Sequence, residues 1–145
     1  MLEREANSGW VFGLLERGTN KIRLFEVERR DMDTLLPIIA DNCAPGSVII
    51  SDGWKAYGGI ATLDHTFRHR WVNHRVSFIS PTDPQVHTQS IEASWGALKS
   101  DMRHLHGTNP TLFPTYLFNY MFRRFYNREK IMQHLLEAIR RQYPL

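Results

Sequence analysis

Two acidic residues stand where the packing of apolar side chains does not explain them. Asp52 ends the apolar run of residues 47–51, and Glu92 lies within the strongly periodic segment 88–106. An Asp at the end of a strand, combined with a Glu on a helix, is an arrangement that holds divalent metal in nuclease-like sites. Such sites use a third acid, and no third acid of this kind stands out in the sequence.

Asp52 also has a plain structural interpretation. Asp52-Gly53 is common turn chemistry, because an Asp side chain bonds to the backbone of a turn. Taken alone, Asp52 is better explained as a turn residue. Open α/β sheets place their ligands at the carboxyl ends of strands, however, and the pairing with Glu92 favours a metal site.

The segment 88–106 is predicted to be an amphipathic helix. Its apolar positions recur at steps of 4, 3, 4 and 3 and form one stripe: Ile91, Trp95, Leu98, Met102 and Leu105. Glu92, Lys99 and Arg103 fall together on one flank, roughly 80–120° from the stripe. Glu92 and Lys99 are too far apart for an i,i+4 pair, so we expect the acid to reach the sheet and the cations to face a ligand.

Other elements are predicted to hold these residues in place. We expect a hairpin of strands 10–15 and 21–27, a helix capped by Asp31 or Asp33 and ending near Asn42, and a strand over 47–51. A short helix over 54–57 precedes a strand over 65–72. Helices over 111–126, apolar nearly all round, and 129–142 complete the chain.

Composition narrows the class of protein. The 145 residues are 42% hydrophobic and 12% aromatic, which is typical of one globular domain, and no apolar run approaches the roughly 18 residues of a membrane span. Cys43 is the single cysteine, which suits a reducing compartment. The net charge of +3 is mild, but the second half is net basic, because more than half of the acids fall before residue 42. Charge alone favours a solvated surface over a phosphate-bearing partner.

Several motifs together resemble a known enzyme family. Residues 48–57 (VIISDGWKAY), 72–74 (VNH) and 86–99 (VHTQSIEASWGALK) resemble the catalytic domain of Merlin-type transposases and their bacterial insertion-sequence relatives. Residues 9–14 and 34–39 resemble the same family, so the likeness covers about residues 9–126. It implies a DDE enzyme on a ribonuclease H-like α/β fold, a mixed sheet with flanking helices.

The resemblance assigns roles to individual residues. Asp52 corresponds to the second catalytic Asp and Glu92 to the catalytic Glu, and both would hold Mg²⁺ or Mn²⁺. Gln89 departs from the family's usual Asn. The side chains expected to lie near or contact DNA are Lys99, Arg103, Trp54, His74 and His87. We expect Trp54 and Trp95 to pack in the core, with base stacking as the alternative for Trp54.

The family's first catalytic Asp has no counterpart here. It lies on a strand that precedes the Trp10 strand and sits centrally in the sheet, between that strand and the one leading to Asp52. Residues 1–8 read as a polar segment without strand character, and neither Glu3 nor Glu5 aligns with that Asp. We therefore expect a single domain over 1–145 that lacks this strand, carries C-terminal helices, and binds metal weakly or not at all.

Three functional hypotheses follow. The first is a transposase-derived domain for DNA transposition that is inactive as this chain. The second is a domesticated DNA-binding protein, and the third is a protein-interaction module built on the 111–126 helix. We expect DNA as a partner, homo-oligomers through that helix, and no membrane. The location would be nuclear in a eukaryote and cytoplasmic in a bacterium.

Overall fold

The structure is a computed structural model that describes residues 2–4 (backbone only), 9–63, 66–73, 77–104, 109–126 and 128–144. Its strands are β1 (Leu2–Arg4), β2 (Trp10–Leu15), β3 (Ile22–Val27), β4 (Val48–Asp52) and β5 (Arg68–Val72). Its α-helices are α1 (Met32–Asn42), α2 (Ile60–Leu63), α3 (Gln89–Arg103), α4 (Phe113–Phe125) and α5 (Ile131–Gln142). Turns of 3-10 helix precede α2, α4 and α5 at Lys55–Gly59, Pro110–Leu112 and Arg128–Lys130. The α/β class is confirmed.

Strand β2 lies at the middle of an antiparallel sheet with the order β1-β2-β3. The β2–β3 hairpin runs from Trp10↔Val27 to Leu15↔Ile22, as the alternation in the sequence predicts. Gly18 takes a φ of 82° in the connecting turn, a left-handed conformation that glycine adopts without steric cost.

Both faces of β2 are buried, but against different partners. Phe12 packs into one cluster with α1 and the adjoining 3-10 turn, through residues such as Leu35 and Tyr57. Val11, on the opposite face, packs into a second cluster with Trp95 of α3 and Leu117 of α4. Strand β2 is therefore buried on both faces and separates two cores.

Strands β4 and β5 form a second, parallel sheet that runs from Val48↔Arg68 to Asp52↔Val72. Among the strands that the structure describes, none pairs with the other edge of β4. The expected single mixed sheet is thus replaced by two small ones. Val48 is exposed in spite of its apolar side chain, because it lies in the strand with this open edge.

The expectation for the amino-terminal segment was wrong in one respect. Leu2–Arg4 is a strand, β1, which pairs antiparallel with β2 from Leu2↔Phe12 to Arg4↔Trp10. A ladder to a distant strand can draw three residues into a sheet even when their own pattern is polar. The remaining residues expected to lack strand character, residues 1 and 5–8, lie outside the described part of the chain.

The helices follow the predicted segments closely. Asp31 caps α1, where its Oδ1 accepts hydrogen bonds from the backbone N–H and the hydroxyl of Thr34 at 3.0 and 2.6 Å. In α4, expected to be apolar nearly all round, Leu117 and Tyr120 are buried, but Phe118 and Phe125 are exposed. Within the described residues, no helix is long and apolar enough to cross a membrane.

Candidate metal and nucleic-acid site

Asp52 is the last residue of β4 and is half-buried. Its Oδ1 accepts a hydrogen bond from the backbone N–H of Trp54 at 3.2 Å, so the turn interpretation of this residue is confirmed. A carboxylate that accepts one N–H through one oxygen keeps further lone pairs for a cation. The turn fixes the carboxylate at the strand end, where a metal ligand would also have to stand.

Tyr57 is a neighbour of Asp52 to which the sequence assigned no role. Burial, and secondarily the negative charge of Asp52, raise the pKa of Tyr57 above its ordinary value, so the phenol stays protonated. Its hydroxyl is buried and makes no hydrogen bond within the described residues. A neutral donor without a partner thus lies within the electrostatic reach of the Asp52 carboxylate.

Glu92 lies in the first turn of α3 and is half-buried. Its backbone N–H donates to the carbonyl of Thr88 at 3.1 Å, which closes that turn. The amino terminus of a helix carries partial positive charge, and this favours the ionised form of a carboxylate there. The helical placement expected for Glu92 is confirmed, whereas its role as a metal ligand stays a prediction.

The donor set near these acids is small. Within the described ranges, no group of three or more His, Cys, Asp or Glu side chains could hold a metal ion. Asp52 and Glu92 carry the hard oxygen donors that Mg²⁺ and Mn²⁺ prefer, and Mg²⁺ is often held by one or two carboxylates with phosphate and water as further ligands. Two such carboxylates suit a single, weakly held ion.

A cleft of about 740 Å³ opens between the two sheets. One wall is the end of β2 from Phe12 to Leu15, and the opposite wall is β4. Ile39, Tyr57 and Ile60 line one side. The segment that leads into α3 lines the other through His87, Thr88, Ser90 and Ile91.

Two residues with buried polar atoms that lack partners line this cleft, and a third lies beside one of its walls. In the part of the chain that the structure describes, Tyr57 Oη, His87 Nδ1 and Trp95 Nε1 are buried and make no hydrogen bond. Tyr57 and His87 line the cleft. The Trp95 ring lies so close to Gly13 of β2 that a Cβ there would stand 2.7 Å from its Cζ2. Native proteins satisfy nearly all such atoms, so the cleft has polar groups that a further molecule or segment could pair.

Of the two histidines expected near the site, the structure describes His87 but not His74. His87 is half-buried, and its Nε2 lies 2.7 Å from Nη2 of Arg17, in the turn of the hairpin. An isolated antiparallel bridge to Ile79 also holds it. His74 lies outside the described residues.

Trp54 is 40% exposed, so its expected place in the core was wrong, whereas Trp95 is buried as expected. The guanidinium of Arg30 lies between two indoles, 4.3 Å from the ring centroid of Trp10 and 4.2 Å from that of Trp54. Trp54 Nε1 also donates to the carbonyl of Arg30 at 3.2 Å. This stack was not foreseen, because it joins residues far apart in sequence.

The two cations expected to face DNA are both exposed. Lys99 lies along α3, and Arg103 is the last residue of that helix. They lie one helical turn apart, so their side chains share the same side of α3. This placement agrees with the flank predicted from the sequence.

The comparisons with known proteins give one match. A family model described as the ISXO2-like transposase domain matches residues 2–124. No curated protein and no solved structure matches the chain. The matched region includes Asp52, Glu92, Lys99 and Arg103 and ends within α4.

Proposed function

The chain belongs to the ISXO2-like transposase domain family, and from that membership we propose a transposase-derived domain that binds DNA and carries part of a metal-dependent phosphoryl-transfer site. The family match over residues 2–124 is the observation that carries this proposal. The finer assignment, a Merlin-type DDE domain on a ribonuclease H-like fold, rests on the motifs at 48–57 and 86–99.

Asp52 and Glu92 would hold a divalent ion. When bound, such an ion activates the attacking oxygen and stabilises the leaving oxygen of a phosphodiester. The chain's own residues would support this role: the turn at Trp54 fixes Asp52, and Glu92 lies in the first turn of α3, where the helix dipole attracts anions. Lys99 and Arg103 would contact phosphates of the DNA backbone.

We propose that this chain does not transfer DNA strands by itself. Two-metal catalysis uses an acid that bridges both ions, and the resemblance finds no counterpart for it in residues 1–145. By the resemblance, the family's first strand would lie between the strand of Trp10 and the strand that leads to Asp52. Here β1 and β3 occupy the two edges of β2, so among the described strands only an edge of β4 is left open for it. The cleft between β2 and β4, which contains buried polar atoms without partners among the described residues, supports the proposal that a strand is missing there.

Metal binding tests the acidic pair. We expect Asp52→Asn and Glu92→Gln each to weaken Mn²⁺ binding by about tenfold or more, because each removes a charged oxygen donor. Titration of Mn²⁺ followed by electron paramagnetic resonance measures the affinity. Asp41→Asn, which removes an exposed acid of α1, is the matched control. Equal affinities in the wild type and both site variants would exclude the metal site.

DNA binding tests the cationic flank of α3. Fluorescence anisotropy with a labelled duplex at several salt concentrations gives the number of phosphate contacts. We expect Lys99→Ala and Arg103→Ala each to weaken binding and to reduce the salt slope by about 0.9 per lost contact. Lys130→Ala removes a cation outside the family match and serves as control. Unchanged slopes in both α3 variants would show that Lys99 and Arg103 do not contact DNA phosphates.

A second candidate is a non-catalytic module. The exposed Lys99 and Arg103, which share one side of α3, favour a DNA-binding domain independently of catalysis. Phe118 and Phe125 are exposed, which agrees with the prediction that homo-oligomers form through the 111–126 helix. Salt-dependent DNA binding that persists without divalent metal would favour the DNA-binding module, and its absence would favour a protein-interaction module.

A further inference from the structure

Arg30 lies in the short connection between β3 and α1 and makes an unusual pair of contacts. Its guanidinium lies between two indole rings, 4.3 Å from the centroid of Trp10 and 4.2 Å from that of Trp54. A planar cation between two indoles is attracted from both faces, because each ring presents its negative π face to the charge. Arg30 is therefore held in one place although it is exposed.

Two hydrogen bonds of Trp54 connect this stack to the Asp52 carboxylate. The indole Nε1 of Trp54 donates to the backbone carbonyl of Arg30 at 3.2 Å, so the ring is both stacked on Arg30 and bonded to it. The backbone N–H of Trp54 donates to Asp52 Oδ1, also at 3.2 Å. A displacement of Trp54 would therefore move the donor that orients the carboxylate.

The stack also joins the two sheets of the molecule. Trp10 begins β2 in the antiparallel sheet, whereas Asp52 ends β4 in the parallel sheet. Helix α3, which carries the second acid of the candidate site, packs against β2, where the Trp95 ring lies close to Gly13. Strand β2 thus supports α3 directly, and Arg30 links the same strand to the Asp52 turn.

The positive charge of Arg30 separates a positioning role from an electrostatic one. A guanidinium repels a cation, so removal of its charge alone would strengthen the binding of a divalent ion to Asp52. Loss of a group that holds the carboxylate in place would weaken the same binding. The adjacent Arg29 offers a comparison, because it is exposed, lies 3.8 Å from Asp31 Oδ2 and takes no part in the stack.

We propose that Arg30 is a positioning residue, which holds the Asp52 turn through Trp54 in the orientation that binds a divalent ion. This inference rests on the metal-binding function proposed for Asp52. It gives a role to a residue outside the sequence motifs at 48–57 and 86–99. Residues that orient a metal ligand from behind commonly change metal affinity strongly when they are removed.

Titration of the full chain with Mn²⁺, followed by electron paramagnetic resonance, tests the sign of the effect. We expect Arg30→Ala to weaken Mn²⁺ binding by about tenfold, because the Asp52 turn is no longer held. Arg29→Ala removes the same charge from the adjacent residue and should leave the affinity unchanged or slightly higher. Unchanged or tighter binding in Arg30→Ala, or an equal loss in Arg29→Ala, would overturn the proposal.

Amide hydrogen exchange, measured by NMR without metal, tests the positioning role independently of the metal site. In Arg30→Ala, the Trp54 N–H should exchange about threefold faster or more, because its bond to Asp52 opens more often. The Gln85 N–H, which donates to Asp83 Oδ1 at 2.9 Å in a turn of the same kind, is the internal control and should not change.

Equal exchange of the Trp54 N–H in the wild type and Arg30→Ala, or faster exchange at both amides, would overturn the positioning role. If Asp52→Asn leaves the Mn²⁺ affinity unchanged, the proposed metal site fails, whereas faster exchange at Trp54 alone still supports the link from Arg30 to the turn. Circular dichroism of each variant verifies that the fold is retained.

Discussion

At the scale of single residues, two buried tyrosines differ in whether their hydroxyl groups are hydrogen-bonded. Tyr57 Oη has no hydrogen-bond partner within the described residues. Tyr120 Oη donates to the carbonyl of Ser94 at 2.9 Å and accepts from Arg124 Nη1 at 3.1 Å. A buried hydroxyl without a partner costs stability, whereas a paired one contributes about 1 kcal/mol.

We therefore predict opposite effects for the same substitution at these residues. Tyr57→Phe should leave the free energy of unfolding unchanged or raise it, because it removes an unpaired donor. Tyr120→Phe should lower it by about 1 kcal/mol, because it leaves the Ser94 carbonyl without its donor. Urea denaturation of both variants measures the difference. A loss at Tyr57 as large as that at Tyr120 would show that its hydroxyl has a partner in solution.

Residue types and spacing correctly predicted that Asp52 ends a strand and that Glu92 lies on a helix, because both patterns are local in the sequence. They did not identify Tyr57 or the Arg30 stack. Arg30 contacts Trp10 and Trp54 only in the folded protein, because these residues are distant in sequence. Tyr57 has the sequence pattern of an ordinary core aromatic residue. Contacts between residues distant in sequence leave no periodic signal.

At the scale of elements, β4 and β5 are joined by a side-chain contact as well as by their ladder. His69 of β5 lies with its Nε2 2.9 Å from the Ser51 hydroxyl of β4. Burial holds the pKa of His69 below its ordinary value, because the charged imidazole loses its hydration. The folded protein therefore favours neutral His69 more strongly than the unfolded chain does.

This shift predicts a pH dependence of stability. As the pH falls below about 6.5, the unfolded chain takes up a proton at His69 before the folded protein does, so stability falls. The loss grows until the pH reaches the folded-state pKa. We expect His69→Gln to reduce the difference in unfolding free energy between pH 7.5 and pH 5.5. His104→Gln, at the exposed end of α3, is the control, and an unaltered difference in His69→Gln would contradict the prediction.

Periodicity predicted most elements well because most of them bury a regular face. The helix over 88–106 is realised in α3, and the hairpin strands have their predicted bounds within one residue. Strand β1 escaped prediction because three residues are too few for a pattern. The division into two sheets escaped it too, because pairing between β2 and β4 depends on what lies between them.

At the scale of the whole molecule, the strands that the structure describes leave one edge of β4 unpaired, and we predict that this edge promotes association between chains. An apolar strand edge offers unpaired backbone groups to other chains, and a lysine on the edge discourages such pairing. We predict that Val48→Lys reduces aggregation at high concentration and leaves the unfolding free energy within about 0.5 kcal/mol. Light scattering on heating measures the aggregation.

Ala61→Lys adds the same charge to the exposed face of α2 and is the matched control for net charge. Equal suppression of aggregation by Val48→Lys and Ala61→Lys would show that charge, and not the β4 edge, governs the process.

The position of strand β2 between two hydrophobic clusters determines how cooperatively this protein unfolds. Phe12 and Val11, adjacent in sequence, belong to the two separate hydrophobic clusters. If either cluster unfolds, β2 loses the packing on one of its faces. The other cluster then loses the fixed strand against which it packs. The two clusters therefore belong to a single cooperative folding unit. A cut or an insertion within residues 10–15 should destroy both clusters at once.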